Sequence, residues 1–264
     1  MIKKNVTTNI FGKKFNKKIF EETGVFIIQN AIPKKIIKSI QKEWINYYES
    51  ILKQNKRLVD NNNSVNFKNE LSDELKYFWK NNCVKKISKQ VVGKNVALYH
   101  HRILIKDKKS QDKVFLHQDY CYHVGFPFKS NLFIPLFDCG INEGTLTFYL
   151  GSHQYGYLGD AGEINPEKFV KWTKITPELK PGDVVVMNSL TWHESGPNNS
   201  DNDRVLFDTI IQPSYDPSGI ELINGEWETD FWLEQRKEKD FEVDSLFISS
   251  RTKKIKNLYN NKND

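Results

Sequence analysis

Two residue types suited to binding a metal stand two apart in Leu116-His117-Gln118-Asp119. Residues two apart on an extended strand project from one face, so the His117 imidazole and the Asp119 carboxylate can approach one ion together. A third ligand is at hand in His193, which ends Asn188-Ser189-Leu190-Thr191-Trp192-His193 beyond an expected strand Asp183–Met187. Two imidazoles and one carboxylate on one face of an octahedral ion leave three positions open, an arrangement that suits Fe(II). Two open positions can chelate a 2-oxo acid and the third can take O2. Zinc more often holds a closed tetrahedral site or a single water.

A 2-oxo acid such as 2-oxoglutarate also needs its far carboxylate held. Arg204 follows His193 across the loop Glu194–Asp203 and opens an expected strand, Arg204–Gln212. Its planar guanidinium matches a carboxylate in bidentate fashion and stays charged at any working pH. Ser195, just after His193, offers a hydroxyl to the same group. Each of these residues alone has a plainer reading: a chance His-x-Asp, a packed histidine, a surface ion pair. Their joint occurrence, in order and on strand-like segments, favours the metal site.

The elements that must position these groups are legible in outline. Gly24-Val25-Phe26-Ile27-Ile28 reads as a short strand. Pro33 suits the first turn of a helix, and Ile37, Ile40, Trp44, Tyr47 and Ile51 give that helix one apolar stripe. A second helix is expected from near Ser72 to Gly93, with Phe78 and Trp79 in the core. From Val96 on, short strands separated by turn residues take over: Ala97–Ile105, Lys113–Leu116, Leu132–Phe137, Gly144–Leu150, Asp183–Met187 and Arg204–Gln212. This texture indicates a sandwich or barrel. After Pro213 the chain turns aromatic and acidic over Glu226–Trp232, which either closes over the pocket as a lid or covers the barrel. A basic, asparagine-rich tail begins near Arg251.

The 264 residues fit a single catalytic domain, 1–264, with an N-terminal strand and helical support over about 20–95, a β core over 96–213 and a C-terminal cover over 214–264. The net charge of +6 comes from scattered lysines with no compact basic stripe, so no nucleic-acid partner is expected. Three cysteines, Cys83, Cys121 and Cys139, without CxxC spacing argue against a disulfide framework or zinc ribbon and fit a reducing compartment. Neither a signal peptide nor a membrane span is read, so a cytoplasmic location is expected. Oligomeric state is not legible.

The sequence resembles the phytanoyl-CoA dioxygenase family of 2-oxoglutarate oxygenases from about Phe20 to Pro213. The resemblance runs through Phe20-Glu21-Glu22-Thr23-Gly24-Val25-Phe26-Ile27-Ile28, Leu116-His117-Gln118-Asp119-Tyr120-Cys121-Tyr122, Asn142-Glu143-Gly144-Thr145-Leu146, Leu150-Gly151-Ser152-His153 and His193-Glu194-Ser195-Gly196-Pro197-Asn198. It implies an α+β fold with a mainly β core, a double-stranded β-helix (jelly roll) flanked by N-terminal helices. It further implies iron on His117, Asp119 and His193, and a 2-oxoglutarate clamp of Ser195 and Arg204. By the same resemblance Ile103 and Phe133 line the cosubstrate, although the family often carries tryptophan where Phe133 stands.

The implied reaction is hydroxylation or another oxidation of an unactivated C–H bond, with release of succinate and CO2. Asp119 occupies the place where a halogenase of this type would carry Ala or Gly, which disfavours chlorination. Tyr120, Tyr122, His123 and His101 are candidate substrate contacts; His101 is expected to share the pocket face with Ile103, and Lys106 to stand at the rim. Such residues suggest a small polar metabolite. The competing readings are a non-catalytic jelly-roll protein that binds a small ligand and a cupin-type metalloenzyme. A vestigial site has no need of Arg204 and Ser195, and Leu116–Tyr122 lacks the histidine-rich motif with glutamate that cupins carry.

Overall fold

A computed structural model describes residues 7–54, 71–158 and 172–228. The N-terminal part contains β1 (Phe11–Gly12), α1 (Lys17–Thr23), β2 (Val25–Ile28), α2 (Lys34–Lys53), α3 (Asp73–Lys76) and α4 (Asn82–Val92). The strands that follow are β3 (Val96–Lys106), β4 (Val114–His117), β5 (Ser130–Pro135), β6 (Leu146–Leu150) and β7 (Thr173–Ile175). The last are β8 (Val184–Asn188), β9 (His193–Ser195), β10 (Arg204–Pro213) and β11 (Glu221–Asn224). They form a seven-stranded sheet in the order β1-β2-β8-β5-β10-β3-β11 and a four-stranded sheet in the order β4-β9-β6-β7. The two sheets face each other, as the expected jelly roll requires.

Strand alternation divides the larger sheet into two faces. Leu132, Ile134, Val184, Val186, Ile103, Ile105, Val205 and Phe207 pack with Ile37, Ile40, Trp44 and Tyr47 of α2 and with Val84 and Ile87 of α4. Each fully buried aliphatic or aromatic side chain in this layer contributes about 1.5–3 kcal/mol relative to exposure. The opposite face turns Phe133, Val185, Met187 and Leu206 toward Leu146, Phe148 and Leu150 of the smaller sheet. The functional groups lie on this inner face.

Two local expectations are changed. The helix expected over Ser72–Gly93 is broken into α3, a 3-10 turn at Phe78–Lys80 and α4. Asn81 is extended (φ −60°, ψ 138°) and its side chain accepts from Cys83 N–H at 2.9 Å, so it starts a new helix where periodicity alone reads a continuous one. Gly93 does end α4. Within Leu116–Tyr122 the strand ends at His117; Asp119 opens a 3-10 turn, Asp119–Tyr122. Gln118 between them keeps extended angles (φ −113°, ψ 130°), so the two ligand side chains still leave the chain on the same side. Glu226–Glu228 attach to Asn95 beside the edge of the larger sheet; 229–232, and with them most of the expected lid, lie outside the described residues, as does the basic tail.

Candidate metal centre

His117 on β4 and His193 on β9 are direct partners across the antiparallel ladder of the smaller sheet, with ring centroids 4.2 Å apart. This pairing joins two sequence-distant histidines. Asp119 Oδ1 completes the set, 3.2 Å from His117 Nε2 and 3.5 Å from His193 Nε2. One donor atom from each residue lies within 4.8 Å of the others, and all three residues are buried. Such a set can hold a metal ion.

Both rings are oriented from behind. His117 Nδ1 lies 2.7 Å from the Phe115 carbonyl and His193 Nδ1 lies 3.0 Å from the Thr191 carbonyl. A backbone carbonyl can only accept, so each Nδ1 carries the proton and each Nε2 presents its lone pair to the cluster. Burial and the neighbouring His117 push His193 down to about 4, so it is neutral at neutral pH. Burial works against a charged His117, but the Asp119 carboxylate outweighs it and raises the pKa. Asp119 itself is held below the usual carboxylate range, because His193 and His117 together outweigh its burial. A permanently ionised carboxylate beside two imidazole lone pairs is a cation site.

Gln118, between the two ligands, fastens this segment to its surroundings. Its Nε2 donates to Leu190 O at 2.7 Å and Gly156 O at 2.8 Å, and its Oε1 accepts from Leu158 N–H at 3.0 Å. It thereby ties the His117–Asp119 segment to the loop that delivers His193. Nothing in its residue type distinguishes it in the sequence except its place between the ligands.

A pair of buried cations lies on the inner face of the larger sheet. Arg204 and Lys106 are direct partners across the β10–β3 ladder, 5 % and 2 % exposed. Lys106 Nζ donates to Ser195 Oγ at 2.8 Å and to Gly196 O; Arg204 Nη1 donates to Gly144 O at 2.6 Å. Gly144 can serve this carbonyl because it adopts φ +68°, and a Cβ there would fall 2.6 Å from the Gly196 and Pro197 carbonyl oxygens. Arg204 Nε is buried with no partner, and neither cation has an ion pair with a carboxylate among the described residues. Burial first, then the adjacent Arg204, lowers the Lys106 pKa to about 8. Two unpaired buried cations are costly unless an anion joins them. The arrangement therefore fits a ligand carboxylate.

The other candidate residues divide by strand parity. Register pairs Ile103 with Phe207 and His101 with Thr209, on the helix side of the sheet. His101 Nδ1 lies 2.8 Å from Thr209 Oγ1, its ring stacks on Phe207, and burial lowers its pKa to about 4. The structure thus places Ile103 and His101 away from the ligand set, and Arg102, Leu104 and Lys106 on the inner face. Lys106 is likewise no rim residue, since the same alternation carries it inward to Ser195. A one-residue difference in which face is assigned inverts every side chain of a strand.

Phe133 is placed beside the ligands, its ring centroid 6.5 Å from that of His193. Tyr122 is 62 % exposed with its ring 6.1 Å from His117. Tyr120 is fully buried, with its hydroxyl toward Gly125 O at 3.4 Å. His123 lies 4.9 Å from the Tyr99 ring, its buried Nδ1 has no partner, and burial lowers its pKa to about 4.

Comparison with known proteins agrees with this geometry. The family model described as phytanoyl-CoA dioxygenase matches residues 20–206. No curated protein sequence matches the chain. Among solved structures, the non-heme alpha-ketoglutarate-dependent epimerase SnoN from nogalamycin biosynthesis shares 18 % identity, with 76 % of this chain and 82 % of that one covered and a TM-score of 0.61. EctD from S. alaskensis, solved with 2-oxoglutarate and 5-hydroxyectoine, shares 17 % identity over 76 % of this chain and 77 % of that one, at a TM-score of 0.63. The nickel complex of the non-heme monooxygenase ThoJ shares 20 % identity over 92 % of this chain and 98 % of that one, at 0.61. At these identities the likeness is one of fold. No helix among the described residues is long and apolar enough to cross a membrane.

Proposed function

The chain belongs to the phytanoyl-CoA dioxygenase family, and on that premise we propose that it is an Fe(II)- and 2-oxoglutarate-dependent oxygenase acting on a C–H bond of a small organic molecule. In this reading His117, Asp119 and His193 hold the iron, and the segments 20–95, 96–213 and 214–264 serve one catalytic unit. The observation that carries the reading is the cation pair Arg204–Lys106, unmatched by any carboxylate among the described residues. A metal-binding module alone has no use for it. EctD, solved with 2-oxoglutarate, shares the fold and supports the same assignment.

Bound iron and 2-oxoglutarate would, together with O2, supply an oxidant able to take hydrogen from a C–H bond, with one oxygen atom of O2 leaving in succinate as 2-oxoglutarate loses CO2. The protein's own part is positioning. Phe115 O and Thr191 O fix the two imidazoles, so the Nε2 atoms face the ion without rotating. Arg204, Lys106 and Ser195 orient the distal carboxylate of the cosubstrate, and Phe133 walls the inner face beside His193. Lys106 thus moves from the substrate to the cosubstrate. Of the residues read as a polar substrate pocket, Tyr122 and His123 remain near the ligand set.

Succinate release across a panel of metabolites, with mass detection of the product, tests this function. A gain of one oxygen supports hydroxylation; an unchanged product mass would point to rearrangement of the kind implied by the epimerase among the structural neighbours. Absence of succinate with every substrate, and of slow uncoupled succinate release without one, would overturn the reading.

Lys106 gives a pH test. The protonated amine binds a carboxylate, so affinity for 2-oxoglutarate should fall as pH rises through about 8. The folded pKa lies below the ordinary lysine value of 10.5, so between about 8 and 10.5 the unfolded chain binds more protons than the folded one. The free protein should therefore gain stability over the window in which it loses cosubstrate affinity. Lys106→Met should bind 2-oxoglutarate more weakly and without this alkaline fall, measured by titration from pH 7 to 9.

A further inference from the structure

A chain of polar side chains behind the metal set is not required by the ligand pattern. Asn131 of β5 is fully buried on the inner face. Its Nδ2 donates to Asp119 Oδ2 at 2.8 Å and to Asp208 Oδ1 at 3.0 Å, so one amide spans two buried carboxylates. Asp208 of β10 is fully buried, and its Oδ2 receives Arg102 Nε and Nη2, both at 2.9 Å. Flipping the Asn131 amide would set its oxygen against both carboxylates, so the donor orientation is the one these charges allow. Asn131 Oδ1 is left buried without a partner, which costs stability. The side chain is thus retained at a cost for its two N–H groups.

The consequence lies in which oxygen of Asp119 is left. Oδ1 faces the two Nε2 atoms, while Oδ2 is engaged by Asn131. A carboxylate free to rotate can give both oxygens to an ion and so take a further coordination position. An amide donor fixed on Oδ2 opposes that. We propose that Asn131, itself held by Asp208 and Arg102, is a positioning residue that limits Asp119 to ligation through Oδ1 and so keeps three coordination positions open.

The role of each member follows from its charge. Asp208 fixes the amide by accepting its second N–H, and Arg102 offsets the buried charge of Asp208 at a distance from the ion. Without Arg102, the negative charge of Asp208 would stand uncompensated beside Asp119 and the amide would have less reason to hold its place. The three residues act through Asp119; none is placed in contact with substrate.

This inference rests on the iron site proposed above, and the test keeps the two apart. Anaerobic titration with Fe(II) alone gives the metal affinity of the wild type, Asn131→Ala and Arg102→Gln. Loss of an outer partner of a metal ligand typically weakens binding about 10- to 100-fold; Asn131→Ala should fall in that range and Arg102→Gln should lose less. With iron saturating, Asn131→Ala should also need more 2-oxoglutarate to form the coloured chelate, because Asp119 then competes for a position. A purely structural role would lower the melting temperature of the metal-free protein and leave both readouts unchanged in the folded fraction. If Asn131→Ala does not fold, Arg102→Gln carries the test, since the Arg102 side chain is partly exposed. An unchanged 2-oxoglutarate requirement in the iron-saturated, folded variants overturns the inference alone; a wild-type chain that binds no Fe(II) overturns the iron site and this inference with it.

Discussion

Arg204→Ala should raise the 2-oxoglutarate concentration needed for half-maximal turnover by about two orders of magnitude, with a much smaller change in the requirement for substrate. Removing one member of a buried, hydrogen-bonded charge pair costs roughly 2–5 kcal/mol, and about 2.8 kcal/mol corresponds to a hundredfold. The loss should exceed that of a surface arginine because Arg204 is almost wholly buried and its Nε awaits a partner. Lys106, opposite it in the ladder, remains and limits the damage. Steady-state measurements varying each reactant in turn separate the outcomes: an equal rise for both would mean that Arg204 supports the pocket as a whole and holds no carboxylate.

Asp119→Ala should end coupled turnover and weaken Fe(II) binding far more than any change outside the ligand set. The variant loses the one anionic ligand and leaves two neutral imidazoles, one of them with its pKa pushed down to about 4 by burial. It also strands the Asn131 amide on Asp208 alone. The metal-free protein should tolerate the change, since Asp119 has no other ion-pair partner among the described residues than the two histidines. Succinate production equal to that of the wild type, with substrate present, would remove Asp119 from the ligand set.

The residues that converge on the candidate metal site were legible in the sequence because their chemistry is tied to residue type. His117, Asp119 and His193 stand out as metal-binding types, and Arg204 as a strand-opening cation. What the sequence does not state is which face of a strand looks inward. In β3 the even positions carry His100, Arg102 and Lys106 and the odd positions Tyr99, His101, Ile103 and Ile105, so the more polar parity reads as the solvent-facing one although it faces the site. The chosen parity placed Ile103 and His101 inward; the register with β10 places Arg102, Leu104 and Lys106 there. A signal was present in Arg204, for stepping by two from it gives Leu206 and Asp208, and their partners are Leu104 and Arg102.

The short strands β1, β9 and β11 were also beyond reach. β1, β9 and β11 gain their hydrogen bonds from distant partners rather than from a pattern of their own. The break at Asn81 depended on a single cap. Gln118 and Asn131 are ordinary amides whose importance comes from what surrounds them after folding. The apolar stripe of α2, by contrast, repeats over enough turns to be read directly, and all of Ile37, Ile40, Trp44, Tyr47 and Ile51 are buried.

The proposed function requires one site to bind Fe(II) and 2-oxoglutarate together, the metal on His117, Asp119 and His193 and the far carboxylate on Arg204 and Lys106. Anaerobic addition of Fe(II) and then 2-oxoglutarate to the wild-type chain tests this most directly, by the weak visible charge-transfer band of the chelate. The expected result is a band that needs both components, disappears in Asp119→Ala and returns in Arg204→Ala only at much higher 2-oxoglutarate. A wild-type chain that binds Fe(II) but shows no band at any 2-oxoglutarate concentration would contradict it.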